Sequence, residues 1–426
     1  MIDVRALRDD PGAVRASLAR RDDPETEVLL DRAAGLDARR REIISEVELL
    51  KARRNQESRE IGERKTRGED AADLIRDMKI VADRIRDLDA EQARAEADLR
   101  DALLRIPNLP DARVPSGAEG EFEVVRSWGE PAPPAAYVEF HWDLGARLGI
   151  LDLERGARVA GSGFPLLVGA GARLNRGLIQ FMLDLHTREH GYVEVAPPFL
   201  TNRDCLTGTG QLPKFEEDVY RTDPDDLFLV PTAEVPVTNL HRGEILEGSA
   251  LPLDYVAYTP CFRREAGAAG RDTRGLLRVH QFDKVELVRL TEPEASEEAL
   301  EELTRHAETV LERLELPYRR ILLPAGDLGF ANAITYDLEV WSPGVGRWLE
   351  VSSCSSYTDY QARRADIRYR PVDGGKPRLV HTLNGSGVAL ARTLVALLET
   401  HLEADGSVRI PEALRPYAGF DRLSSP

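Results

Sequence analysis

Apolar side chains return with a seven-residue rhythm over much of residues 27–102. Leu29, Leu36, Ile43 and Leu50 stand seven apart, with Val47 and Ile61 filling part of the alternate seam. After a polar break at 64–70 (RKTRGED), Leu74, Met78, Val81, Ile85, Leu88, Gln92, Ala95 and Leu99 follow 4-3-4-3 spacing. The pattern predicts two long heptad helices joined by a short Gly-containing turn, an antiparallel coiled-coil hairpin. At ~1.5 Å per residue each helix spans roughly 50–60 Å, so the hairpin is expected to project beyond a compact domain. Ahead of it, residues 1–26 read as a short helix, with Asp10 placed to cap and Pro11 to open it.

The rhythm stops at 105–135, a stretch rich in Pro, Gly and Ala that reads as a linker. Beyond it, 136–426 mixes short β-like runs with amphipathic helices over 293–315 and 388–403. That mixture predicts an α+β domain. Three segments follow: an N-terminal helical domain at 1–104, the linker, and a second domain at 136–426. No run approaches the ~18 apolar residues needed to cross a membrane. The N-terminal MIDVRALRDD carries charges where a signal peptide needs an apolar region, which makes the cytoplasm the expected location.

Charge changes the picture only locally. The net charge of −17 argues against a nucleic-acid partner, but residues 39–67 hold ten Lys/Arg against six Asp/Glu. Arg53, Arg54, Arg59, Arg64, Lys65 and Arg67 crowd the tip of the predicted hairpin. The three cysteines, Cys205, Cys261 and Cys354, are odd in number and far apart. They suit neither a disulfide framework nor a zinc site, so reduced packing thiols are expected and no zinc.

The most informative chemistry lies in 261–288, CFRREAGAAGRDTRGLLRVHQFDKVELV. Arg263, Arg264, Arg271 and Arg274 sit beside Gly267, Gly270 and Gly275. Arginine supplies forked, permanent donors for phosphate or carboxylate, and glycine lets backbone turn tightly near a ligand. From Leu276, period-2 alternation places His280, Phe282, Lys284 and Glu286 on one strand face, with Phe282 and Glu286 roughly 13 Å apart. An aromatic platform at one end and a carboxylate at the other suit a nucleotide joined to something cationic. The same composition also suits a β-hairpin with a solvated basic turn. There is no GxxxxGK[ST] loop, no third glycine after Gly169-Ala170-Gly171, and no HxGH or KMSKS string.

Taken whole, the string resembles motif 2 of the class II aminoacyl-tRNA synthetases, and in detail the bacterial-type seryl-tRNA synthetases. Phe-Arg-x-Glu at 262–265, AGRDTRGL at 269–276 and HQFDKVE at 280–286 fall at that family's spacing, and the likeness runs along nearly the entire chain. The resemblance implies an antiparallel class II sheet flanked by helices, with the coiled-coil hairpin as a tRNA-binding arm. HGYVEVAPPFLT (190–201), with Pro197 or Pro198, resembles motif 1, which forms a homodimer interface in the family. Thr232, Ala233 and Glu234 match the serine-binding segment. Glu286, Asn384 and Ser386 are implied in recognising serine. HTLNGSGVALART (381–393) resembles motif 3, with Gly385 and Gly387 expected to permit close approach to ligand. Arg263 and Arg392 match the arginines on the α- and γ-phosphates of ATP. Arg264, Glu265 and Phe282 lie near the nucleotide in the family, Phe282 stacking on adenine. In 350–353, Glu350, Val351, Ser352 and Ser353 match an ATP-binding stretch whose Glu350 and Ser353 hold Mg²⁺. Strict alternation puts 350 and 353 on opposite faces, so a bulge or turn at Ser352–Ser353 is expected. TGTGQLPKF (207–215) resembles a mobile loop. One departure is Ile334, where the family pattern leads one to expect Lys.

The implied reaction activates L-serine with ATP and transfers it to tRNA(Ser), and to tRNA(Sec) where a host has one. Two other readings stand beside it: an acceptor-shifted or inhibitor-resistant paralogue, and a noncatalytic RNA-binding protein. In the second, the matching active-site positions should have drifted, and they have not.

Overall fold

The computed structural model describes residues 1–131, 139–266 and 274–425. Gly267, Gly270 and Arg271 of the Arg/Gly loop therefore lie outside the described residues. The chain divides into two compact units, Met1–Pro107 and Asn108–Pro426.

In the first unit two short helices, α1 (Val4–Asp9) and α2 (Pro11–Ala19), precede two long ones, α3 (Glu25–Thr66) and α4 (Ala72–Leu104). The single helix expected over 1–26 is two. Proline disfavours helical backbone in the residue before it, so the chain breaks at Asp10. Asp10 then caps α2, accepting from the Ala13 amide at 2.9 Å. The heptads form the expected seam between α3 and α4. Ile43, Val47, Val81, Ile85, Leu88, Ala95 and Leu99 are buried along it, and the remaining heptad positions are half-buried. Arg39–Glu91 at 2.5 Å and Arg84–Glu46 at 2.8 Å cross it antiparallel. Helix α3 runs three residues into the polar break, because nothing in Arg64–Thr66 opposes a helix. Gly68, at φ 72°, turns the chain. Among the basic tip residues, Arg53, Arg64 and Arg67 each reach a glutamate one turn back or ahead (Glu57, Glu60, Glu63). Arg54, Arg59 and Lys65 stand exposed.

The second unit is built on an eight-stranded sheet. Its strands are β1 (Glu123–Trp128), β2 (Val193–Glu194), β3 (Leu253–Phe262), β4 (Gln281–Thr291), β5 (Tyr318–Leu322), β6 (Ile334–Ser342), β7 (Arg347–Ser356) and β8 (His381–Ala389), in the order β1-β5-β6-β7-β8-β4-β3-β2. All neighbours are antiparallel except β2 and β3, which are parallel. The expected antiparallel sheet is thus mixed at one edge: the long excursion between β2 and β3 returns the chain to its starting end, as a parallel pair requires. The other edge, β1, comes from the Pro/Gly/Ala-rich 105–135 stretch.

Three helices, α5 (Ala170–Arg188), α8 (Ser296–Arg313) and α10 (Leu390–Thr400), share one core with the sheet through Leu174, Leu178, Leu300, Leu303, Leu394 and Leu397. Both amphipathic helices read from the sequence are here, as α8 and α10. Strand β4 divides its side chains by alternation. Val285 and Leu287 enter that core, leaving Phe282, Lys284 and Glu286 for the opposite face. The alternation begins later than expected, since β4 starts at Gln281. His280 precedes the strand and instead pairs with the Arg263 carbonyl at 3.0 Å and stacks on Phe164.

Ile334 is buried in the same core, so the departure from Lys concerns packing and does not touch the face opposite. Cys261 and Cys354 are buried free thiols, and Cys205 is partly exposed. Burial pushes the Cys354 thiol up to about 12 and raises Cys261 as well, which keeps both protonated. No described helix is long and apolar enough to cross a membrane.

Candidate active site

On the face of β4 away from the helical core lies a cavity of about 650 Å³. Across from this face, β3 sets small residues beside long ones. Cys261, Thr259 and Ala257 stand directly opposite Phe282, Lys284 and Glu286. The cavity wall includes Thr232, Glu234, Arg263, Glu265, Phe282 and Glu286, and also Glu350, Val351, Ser353, Asn384, Ser386 and Arg392. Residues spread over 160 positions of the chain meet in one place.

One end is a buried carboxylate pair. Glu286, 1% exposed, accepts from Lys284 Nζ at 2.6 Å, Asn384 Nδ2 at 2.9 Å and Ser386 Oγ at 3.2 Å. Register makes this possible, because Ser386 pairs with Glu286 across β8 and β4. Asn384 is itself held by the Tyr357 hydroxyl, which donates to its Oδ1 at 2.7 Å. Glu234 opens the short helix α7 (Glu234–Thr238) and is also buried. Gln361 Nε2 donates to it at 2.6 Å, and its own amide donates to Thr232 Oγ1 at 3.2 Å. Burial, and after it the charge of Glu286, raise the Glu234 carboxyl to about 7.

The other end is aromatic and cationic. The Arg263 guanidinium lies 5.2 Å from the centre of the Phe282 ring. Arg392, in the first turn of α10, is held by three acceptors: Leu277 O at 3.1 Å, Glu350 O at 2.8 Å and Glu350 Oε2 at 3.2 Å. Glu350 and Ser353 face the same way. Leu338 pairs with Ser352 and Glu339 with Glu350, so Val351 is an extra residue in β7. The expected bulge is therefore real, and it sits at Val351, not at Ser352–Ser353. It restores Glu350 and Ser353 to one face, as donors suited to a hard cation. Among the described residues, no group of three or more His, Cys, Asp or Glu is arranged to hold a metal ion. A cation here would need oxygens from a bound ligand.

Several expected site residues lie off the cavity. Ala233 is buried in a separate apolar cluster with Val288 and Ile367. Ser352 falls on the opposite side of the bulge, where its hydroxyl donates to Ser386 O at 2.6 Å. Arg264 is exposed, just past the end of β3, with its amide on Asp218 O. Gly385 and Gly387 serve packing, not ligand approach. A Cβ at Gly385 would stand 2.4 Å from Leu303, and one at Gly387 2.9 Å from His186. Alternation gives their neighbours Asn384 and Ser386 to the cavity instead. Residues 207–209 of the TGTG string are the last turn of helix α6 (Arg203–Thr209), which Gly210 ends in left-handed backbone at φ 97°.

Lys284 and Gln361 were not among the expected site residues. Lys284 had a visible signal, lying between Phe282 and Glu286 on the same strand face. Gln361 had none, since nothing near it in the chain marks it.

Residues 1–110 match the Seryl-tRNA synthetase N-terminal domain, and residues 214–401 match the tRNA synthetase class II core domain (G, H, P, S and T). A serine–tRNA ligase of Gemmatimonas aurantiaca is 56% identical over 98% of this chain and 99% of its own. The seryl-tRNA synthetase of Pyrococcus horikoshii, solved with ATP, superposes with a TM-score of 0.95 at 38% identity over the full length of both chains. The cytoplasmic serine–tRNA ligase of Naegleria fowleri, solved with AMP, gives 0.90 at 28% identity, covering 100% of this chain and 99% of its own. With its helical hairpin, its class II sheet and full-length likeness to these enzymes, the chain belongs to the seryl-tRNA synthetase family.

Proposed function

We propose that this protein activates L-serine with ATP and transfers the seryl group to tRNA(Ser). The observation that carries the reading is the shared face of β4. It runs from an aromatic platform, Phe282, through a buried ammonium, Lys284, to a carboxylate with three donors, Glu286. A nucleotide joined to an amino acid has the matching sequence of chemistries. Glu234 receives the α-ammonium, with Thr232 beside it. Glu286, Ser386 and Asn384 read the hydroxyl. A pocket whose buried polar groups need that hydroxyl penalises alanine, which lacks it.

In the first step a serine carboxylate oxygen attacks the α-phosphorus and the bond to the β-phosphate breaks, releasing pyrophosphate. Arg263 and Arg392 hold and neutralise the phosphates, and Phe282 takes the adenine. Glu350 and Ser353 would hold Mg²⁺ together with phosphate oxygens, which would neutralise charge on the leaving group. In the second step the terminal ribose hydroxyl of tRNA attacks the seryl carbonyl and AMP leaves. Positioning and charge neutralisation do the chemistry, and we assign no side chain as a general base.

The hairpin tip is the tRNA-binding surface, with Arg53, Arg54, Arg59, Arg64, Lys65 and Arg67 as its phosphate contacts. Where a host has tRNA(Sec), the same arm serves it. A homodimer is supported by apolar side chains exposed beside the edge strand β2: Val193 at 59%, Phe199 at 44% and Leu200 at 45%. The working compartment is the cytoplasm.

ATP–pyrophosphate exchange tests the activation half. Exchange should depend on serine, fail with alanine or threonine, and need no tRNA; its absence from folded protein would overturn the reading. The pH dependence follows from Glu234. A carboxyl at about 7 is the form that loses its charge as pH falls, and only the carboxylate pairs with an ammonium. The KM for serine should therefore rise about tenfold between about pH 8 and about pH 6, in proportion to the lost ionised fraction, while the KM for ATP stays flat. A flat serine profile removes Glu234 from this role.

A further inference from the structure

Helix α9 (Tyr360–Ala365) packs beneath the carboxylate end of the cavity, and its Gln361 is fully buried. Every polar atom of that side chain is used. Nε2 donates to Glu234 Oε1 at 2.6 Å and to the Thr209 carbonyl at 3.1 Å, and Oε1 accepts from Thr382 Oγ1 at 2.7 Å. The amide orientation is forced. Turning it over would set its carbonyl oxygen against the Thr209 carbonyl and against ionised Glu234, both of which only accept. Later in the same helix, Arg364 Nη1 donates to the carbonyls of Thr207 at 3.1 Å and Leu212 at 3.2 Å. Segment 207–212 is therefore held from below by two buried side chains of α9. Its Thr209, Gly210 and Gln211 line the cavity, as Glu234 does.

We propose that Gln361 is a positioning residue that couples recognition of the substrate ammonium by Glu234 to the conformation of segment 207–212. This rests on the reading of Glu234 as the ammonium acceptor. The two N–H bonds of one amide serve the carboxylate and the segment together, so neither partner can shift without disturbing the other. An ammonium needs Glu234 ionised, and a donated N–H favours that form. Burial and Glu286 push the carboxyl up, and the bond from Gln361 is the strongest influence pulling it down, ahead of the Lys284 charge and the Tyr357 hydroxyl. Displacing the segment frees the amide to turn and withdraws that support. By linkage, ammonium binding steadies the segment in return.

The test is serine and ATP kinetics in pyrophosphate exchange across pH for Gln361→Met, Gln361→Glu and Thr382→Val, with protease sensitivity of segment 207–212 with and without serine. Gln361→Met should raise the serine KM about ten- to a hundredfold, with the ATP KM within about twofold. The pH midpoint of the serine KM should move up by about one unit or more, and less in Thr382→Val. Serine protection of the segment should be lost along with it. An unmoved pH midpoint, or an equal rise in both KM values, overturns the coupling and leaves Gln361 a structural residue. If Gln361→Met does not fold, the same criteria apply to Gln361→Glu and Thr382→Val. Glu234→Gln separates the two layers: a serine KM it leaves unchanged refutes the ammonium site itself, whatever the Gln361 variants do.

Discussion

Replacing Arg392 by alanine is expected to lower serine-dependent pyrophosphate exchange by about a hundred- to a thousandfold, the usual effect of deleting one pre-placed donor to a developing charge. The side chain is poised before any phosphate arrives. Leu277 O, Glu350 O and Glu350 Oε2 fix its fork, and the first turn of α10 directs it into the cavity. The substitution removes a cation and little packing, since the side chain is one-third exposed. The fold should survive, and a melting curve close to that of the parent protein is the control. Arg392→Lys keeps the charge but not the fork, so it should recover only part of the loss. Because Glu350 also loses its partner, the Mg²⁺ dependence of the residual activity should change. Exchange within about threefold of the parent would place the ATP phosphates elsewhere and overturn the assigned orientation, since a phosphate clamp is worth far more than that.

Cutting back the helical hairpin should separate the two half-reactions. A variant in which a short Gly-rich turn replaces residues 51–79 keeps Ile43, Val47, Leu88 and Ala95, the buried cluster of the hairpin. Every residue lining the cavity belongs to the other unit, Asn108–Pro426. Exchange should remain within about twofold, whereas charging of tRNA(Ser) should fall by about a thousandfold, the scale of several lost phosphate contacts. A milder variant reverses charge at Arg54, Arg59 and Lys65, the three exposed tip residues. It should weaken tRNA binding and flatten its salt dependence, with each lost phosphate contact reducing the slope by about one. Normal charging by the truncated protein would show that the tRNA is gripped elsewhere.

The hairpin and the site differ in how they are written in the chain. A heptad needs only neighbours along one helix, so local spacing sufficed for the seam from Leu29 to Leu99. Strand β4 was equally legible, because backbone pleating alone sends Phe282, Lys284 and Glu286 to one side. The cap at Asp10 and the helices α8 and α10 belong to the same local class. Motif spacing, through family resemblance, added Thr232, Glu234, Arg263, Glu350, Ser353, Ser386 and Arg392, all of which the fold brings to one cavity.

What stayed hidden depended on pairing between distant segments. The need for a bulge in β7 could be read from spacing, but its place at Val351 is a matter of register against β6. Gly385 and Gly387 look like ligand-approach residues until Leu303 and His186 are found against them. Gln361 carries no local mark at all, since its partners Glu234, Thr209 and Thr382 come from three separate stretches. The raised carboxyl of Glu234 is likewise a property of burial beside Glu286, two groups far apart in sequence. Side-chain direction along one element is set by bond geometry between adjacent residues, and sequence alone determines it. Which side chains meet across elements, and at what degree of burial, is set by sheet register and close packing, which only the tertiary structure decides.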